Sequence, residues 1–395
     1  MPRVLVLLTL AALPLQAQEA KKNDKATKPE RTLVDAAIDK GIVNLRSTID
    51  PSSDRVELIL WTFLHAGIRE NDPDFQKMLK VVLDRKLEKT YNVALQAMIL
   101  EEHDRVRYQG RIQQCAQFLI DNQCKDGRWG YGEPSSFAVP VPAGPGPKDV
   151  ASGAAKPAVG ERKKPKVVRK VVLKKMKDGT GPGDSSNSQY AALGLRACYD
   201  AGILFPREVA EHARNHWRDS THGNEGTKES GEARGWGYYG SDFRGSYGAM
   251  TVGGLSSLCV YHYILGEPWK KDRTIEAARN WLALNYTVTE DPQAARGWDG
   301  YEPTTAHLYF LYGLERSGLL YGSETYGTHF WYPEGAKVIL ETQRVDGSWD
   351  NPSGKDGAGA VANTCFAILF LRRATQPLLP VASEDKFLKG TPDDK

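Results

Sequence analysis

The sequence predicts an all-α protein, an (α/α)6 toroid in which six buried helices form an inner ring and six amphipathic helices an outer one. Three observations predict it. Six tracts are apolar on most faces and rich in Ala, Gly and Ser; each follows a tract with one wet face; and connecting loops share a Gly-x-Trp element at repeated spacing. The first amphipathic tract, 34–45, sets Val34, Ile38 and Val43 against Asp35, Lys40 and Arg46, the pattern of a half-solvated helix. The others are 74–87, 111–122, 208–217, 275–285 and 334–342. The apolar tracts are 56–64, 91–100, 190–197, 250–265, 307–314 and 361–371, and a helix apolar all round is buried. Closing the buried six into a ring satisfies both kinds. An open solenoid needs polar end caps and a tighter period, whereas the period here runs from about 36 to about 60 residues.

The composition agrees. With 395 residues, 41% hydrophobic, 26% charged and a net charge of +3, the chain is a folded soluble type, not a disordered, collagenous or multi-span membrane one. The 52 basic and 49 acidic residues nearly balance, so no specific nucleic-acid partner is expected. Five scattered cysteines make neither a disulfide framework nor a CxxC zinc pattern and read as small buried apolar residues.

Residues 1–17 carry Arg3, an uncharged run from Val4 to Leu15 and a small-residue end at Ala17, the layout of a cleaved signal peptide. The mature chain is therefore expected to be secreted or periplasmic. Residues 18–31 read as a charged leader, 32–375 as the toroid and 376–395 as a tail. Within the toroid, 133–186 reads as a disordered basic Pro/Gly-rich insertion: prolines and glycines at 140–147 are followed by Arg162-Lys163-Lys164, Arg169-Lys170 and Lys174-Lys175. Its stretch 148–177 is the one local feature suited to an anionic membrane surface or polymer.

The strongest signal lies in the loops. Phe118-Leu119-x3-Gln123-x3-Gly127-x-Trp129 recurs as Val338-Ile339-x3-Gln343-x3-Gly347-x-Trp349, with looser versions at Arg234-Gly235-Trp236-Gly237-Tyr238 and Arg296-Gly297-Trp298-Asp299-Gly300-Tyr301. A glutamine can cap backbone groups, a glycine permits a left-handed turn, and a tryptophan fills the wedge between hairpins.

This element resembles the repeat of the squalene cyclase and protein prenyltransferase β-subunit superfamily. The resemblance covers about 300 residues by the count of repeating hairpins. It implies an α/α toroid with a central cavity, and it implies that Gln123, Trp129, Gln343 and Trp349 are structural. The catalytic patterns of that superfamily are missing. No Asp-x-Asp-Asp occurs, the nearest strings being Asp72-Pro73-Asp74 and Asp393-Asp394; no Asp-x-Cys accompanies His307; and Gly-Cys-Gly-Glu-Gln is absent.

The loops lead into the N-termini of the buried helices, so their side chains should form a common rim. Trp236, Tyr238, Tyr247, Trp298, Tyr301 and Tyr309 are its candidate ligand-binding residues, and His307, Asp299, Glu302 and Asp242 its candidates for catalysis. Three uses of the rim stay open: repeat glue and helix caps; an acid/base pair of Glu302 with Asp299 or Asp242, as glycan-acting toroids require; and proton transfer or phosphate binding by His307 with Tyr309 and Tyr247. His212 and His216 share a helical face, but no Glu follows His212 in the HExxH manner, and that face reads as solvated. Neither a metal nor a cofactor is expected. The leading expectation is an exported terpene-cyclase- or prenyltransferase-like toroid holding an apolar lipid or isoprenoid. The alternatives are a non-enzymatic envelope scaffold or binding module and a glycan-acting α/α-barrel enzyme.

Overall fold

The structure is a computed structural model and describes residues 30–135, 164–239, 245–294, 306–350 and 359–378. Among these residues twelve α-helices alternate between two environments. The outer set is α1 (Arg31–Arg46), α3 (Pro73–Asp84), α5 (Gln109–Asp121), α7 (Arg207–Asp219), α9 (Arg273–Leu284) and α11 (Trp331–Thr342). The inner set is α2 (Val56–His65), α4 (Thr90–Asp104), α6 (Ser185–Asp200), α8 (Gly248–Leu265), α10 (His307–Tyr321) and α12 (Gly359–Arg372).

Side-chain periodicity accounts for the sorting. α7 buries only Val209, Ala210, Ala213 and Trp217, a single stripe, whereas α8 buries every residue except Tyr263. Capping sets several starts. Asp72 accepts from the amides of Asp74 and Phe75 ahead of α3, Asp272 from Thr274 and Ile275 ahead of α9, and Asp184 from Asn187 ahead of α6.

The inner helices pack as a circuit, α2 on α4, α4 on α6, α6 on α8, α8 on α10 and α10 on α12, and α12 returns to α2. The outer α1 meets both α11 and α12. The chain is therefore an α/α toroid, with its core between the two rings. No helix among the described residues is long and apolar enough to cross a membrane.

The insertion is a correction to the expectation of a solvated segment over 133–186. Residues 136–163 lie outside the described residues, as do the signal segment 1–17 and nearly all of the leader, but 164–184 is folded onto the toroid. Lys164 Nζ stands 2.6 Å from Glu101 Oε2 and 2.6 Å from Glu102 Oε2. Strand β1 (Val171–Val172) pairs in parallel with β2 (Ile203–Leu204), just past α6. Leu173 is buried, the Met176 amide donates to Asp121 Oδ1 at 2.7 Å, and the Gly179 amide to the Gln123 carbonyl at 2.9 Å. The like charges do not keep this segment in water, because the end of α4 supplies buried carboxylates and Leu173, with half-buried Val171, supplies an apolar anchor. The tail expectation is likewise corrected at its start: Leu378 is buried, and the carbonyls of Gln376 and Pro377 accept from Arg196.

Candidate functional site

The two matched loops have one geometry. Trp129 Nε1 donates to the Leu119 carbonyl and Trp349 Nε1 to the Ile339 carbonyl, each at 2.7 Å. Gln123 Nε2 bridges the carbonyls of Gly127 (3.2 Å) and Val209 (2.9 Å); Gln343 Nε2 bridges those of Gly347 (3.0 Å) and Ala37 (2.8 Å). Gly127 (φ +88°) leaves no room for a Cβ, which would sit 2.5 Å from the His212 carbonyl oxygen; at Gly347 (φ +84°) it would sit 2.4 Å from that of Lys40. Each loop thus clamps its own outer helix to the next one around the ring, α5 to α7 and α11 to α1.

A hydroxyl one turn into the inner helix completes the device. Trp129 N donates to Ser188 Oγ at 3.0 Å, Trp349 N to Thr364 Oγ1 at 3.0 Å and Trp236 N to Thr251 Oγ1 at 3.2 Å. The sequence reading missed these hydroxyls, although Trp236/Thr251 and Trp349/Thr364 share one spacing that a scan for it would have found. Trp236 is fully buried, with Nε1 on the Trp217 carbonyl at 2.8 Å, and Tyr247 is buried at the start of α8. Both are repeat packing and have no surface to offer a ligand. Asp242, Trp298, Asp299, Tyr301 and Glu302 lie outside the described residues.

The remaining rim candidates gather at the N-terminal ends of α4, α6 and α10. Tyr309 is half-buried; its hydroxyl meets Ser186 Oγ at 3.0 Å and receives Gln189 Nε2 at 2.7 Å. Ser186 also bonds the hydroxyl of half-buried Tyr91. Beside this triad lie Tyr238, whose ring centre is 4.9 Å from that of Tyr239, and Tyr131, 68% exposed. The Ser185 amide donates to the Tyr238 carbonyl at 2.8 Å, fixing the aromatic loop over the start of α6. Burial pushes the phenols of Tyr91, Tyr238 and Tyr309 well above their ordinary range, so they stay protonated donors. His307 is at the same end but otherwise engaged: Nε2 lies 2.8 Å from the Val288 carbonyl, and burial lowers its pKa, so the ring is a neutral donor to backbone. His216, half-buried on α7, is pushed down to about 4 by burial, and His212 beside it is exposed. Among the described residues no cluster of His, Cys, Asp and Glu is arranged to hold a metal ion.

Below the triad the axis of the ring is filled. Arg316 Nη2 donates to Gln189 Oε1 at 3.0 Å, and Trp61 Nε1 to Tyr312 Oη at 3.0 Å. Phe366 packs between Tyr309 and Tyr312, with ring centres 5.4 and 5.9 Å away, and Gly253 of α8 leaves the space that Gln189 occupies. Helices α2, α6, α10 and α12 contribute side chains to this plug, and α8 contributes the space for one of them.

No protein-family model and no curated protein matches the chain. Two similar solved structures are an apo type II terpene cyclase, MstE from Scytonema, and an unsaturated glucuronyl hydrolase specific for heparin. The first aligns over 87% of this chain and 99% of its own at 13% identity and a TM-score of 0.46. The second aligns over 87% and 97% at 9% identity and a TM-score of 0.47. The toroid itself rests on the helix contacts described above.

Proposed function

We propose that this chain is an exported toroid binding protein that takes a polyhydroxylated ligand, a saccharide, at the N-terminal face of its inner ring. The observation that carries the reading is the cluster of the Tyr91, Ser186 and Tyr309 hydroxyls beside the rings of Tyr238 and Tyr239 and the exposed Tyr131. Flat aromatic walls beside hydrogen-bonding hydroxyls suit a ring that is apolar on its faces and polar at its edge. The filled axis weighs against a long isoprenoid reaching into the ring. The layout of residues 1–17 supports work outside the cytoplasm. Binding is the reading, because the two carboxylates nearest the hydroxyl triad are engaged: Asp184 caps α6, and Glu133 holds Thr180 and Lys177.

Calorimetric titration of the full chain with a panel of neutral and acidic oligosaccharides tests this. Tyr309→Phe, which keeps the ring and deletes the hydroxyl, should weaken binding about threefold to tenfold, the worth of one hydrogen bond. If no oligosaccharide binds while native mass spectrometry of protein from its own membrane extract shows a co-purifying isoprenoid or other lipid, the apolar-ligand reading replaces this one.

A further inference from the structure

At the other end of the inner ring, away from the tyrosine cluster, a separate pocket of about 50 Å³ is lined by Trp61, Glu101, Lys164, Arg196, Tyr312 and Arg316 among others. That is room for about three to five waters, or a molecule of similar size. Arg316 is 1% exposed and wedged between aromatic faces, its Cζ 4.5 Å from the Tyr312 ring centre and 5.3 Å from that of Tyr190. Of its donors, Nη2 reaches Gln189 Oε1 at 3.0 Å, while Nε and Nη1 have no acceptor among the described residues. The neighbouring Glu315 does not pair with it: Oε1 receives the Thr375 amide at 2.9 Å and Oε2 the Thr375 hydroxyl at 2.8 Å. A buried guanidinium with two unmet donors and no bonded carboxylate is costly unless something else satisfies it.

The rest of the pocket is arranged consistently with that need. Tyr312 Oη accepts from Trp61 Nε1, which leaves its own O–H to donate. Lys164 bonds both Glu101 and Glu102, and together with Arg196 and Arg316 it balances the three carboxylates, Glu101, Glu102 and Asp200, that line the pocket. Arg196 adds a second guanidinium, held by Asp200 at 3.4 Å and by the Gln376 carbonyl at 2.7 Å.

We propose that this pocket binds a small oxyanion, a carboxylate or a phosphate, on Arg316 Nε and Nη1 and the Tyr312 hydroxyl. The planar fork of a guanidinium matches two oxygens of either group, and the flanking tyrosine rings hold that fork in place before the anion arrives. Thermal melting and calorimetry of the full chain in sodium acetate, sodium phosphate and sodium chloride at equal ionic strength test it. The melting temperature should rise by about 2 °C at ten times the dissociation constant in acetate or phosphate, with chloride inert. A response to acetate alone assigns a carboxylate, and a response to phosphate alone assigns a phosphate.

Arg316→Met should lose binding at least about tenfold, and Tyr312→Phe about threefold to tenfold. Lys164→Met should also weaken binding, by freeing Glu101 and Glu102; the last two variants decide the matter if Arg316→Met does not fold. An identical melting temperature in all three salts overturns the proposal, as does an anion response that survives both Arg316→Met and Tyr312→Phe.

Discussion

Trp349 illustrates how one side chain sets the spacing between hairpins. Its indole N–H is held by the Ile339 carbonyl, its backbone N–H by Thr364, and its ring is 1% exposed. Trp349→Phe keeps most of the apolar area but deletes the 2.7 Å indole bond to that carbonyl, leaves it only the 3.3 Å Thr342 hydroxyl and opens a gap in the core, so urea unfolding should show a loss of about 1–3 kcal/mol. Trp129→Phe should behave alike, since the bonds repeat. Glu315 makes a second residue-scale prediction. Burial holds its carboxyl up at about 7 against an ordinary 4.5, with the Thr375 bonds opposing. The folded chain therefore binds this proton more tightly than the unfolded one. The associated stability is complete below about 4.5 and is lost as pH rises through about 7, an effect of up to ~3 kcal/mol. Glu315→Gln should flatten that part of the profile, so the variant gains on the parent above neutrality in denaturant titrations across the range.

At the scale of elements, the stretch 164–184 is the instructive one. Its charge run reads as solvated because sequence shows the lysines without their partners, and Glu101 and Glu102 stand more than sixty positions from Lys164's neighbours at 165–166. In the fold it ties α4, α5 and α6 together and delivers Asp184 to cap α6. Leu173→Ala should then cost about 2–3 kcal/mol by calorimetric or denaturant unfolding, where a solvated loop residue would cost almost nothing. Asp184→Ala should cost about 1 kcal/mol through the lost cap.

At the scale of the whole molecule, closure is the governing feature. The clamp that joins α5 to α7 is used again by Gln343 to join α11 to α1, and Arg372 adds a 2.9 Å contact to Asp35 across the same seam. Each hairpin therefore has two neighbours, and no apolar end is left open among the described helices. Unfolding should follow one transition when tryptophan fluorescence and far-UV circular dichroism are compared. Removing α1 (Arg31–Arg46) should separate the two curves, because α11 and α12 lose the partner that closes the ring.

Helix order, the inner and outer sets and the Gly-x-Trp clamps were all legible in the chain, because each depends on residues close in sequence: periodic burial, local caps and a glycine followed by a tryptophan. The rim was legible only as a neighbourhood. Trp236 and Tyr247 belong there by position, yet they turn inward, while Tyr91 and Ser186, unremarked in the sequence, share the hydroxyl triad with Tyr309. Which side chain faces a ligand depends on the rotation of each inner helix about its axis, and the packing of its neighbours sets that rotation. The filled axis, the Lys164 clamp and the unmet donors of Arg316 were likewise decided by tertiary structure alone, since each joins residues from separate hairpins that meet only when the ring closes.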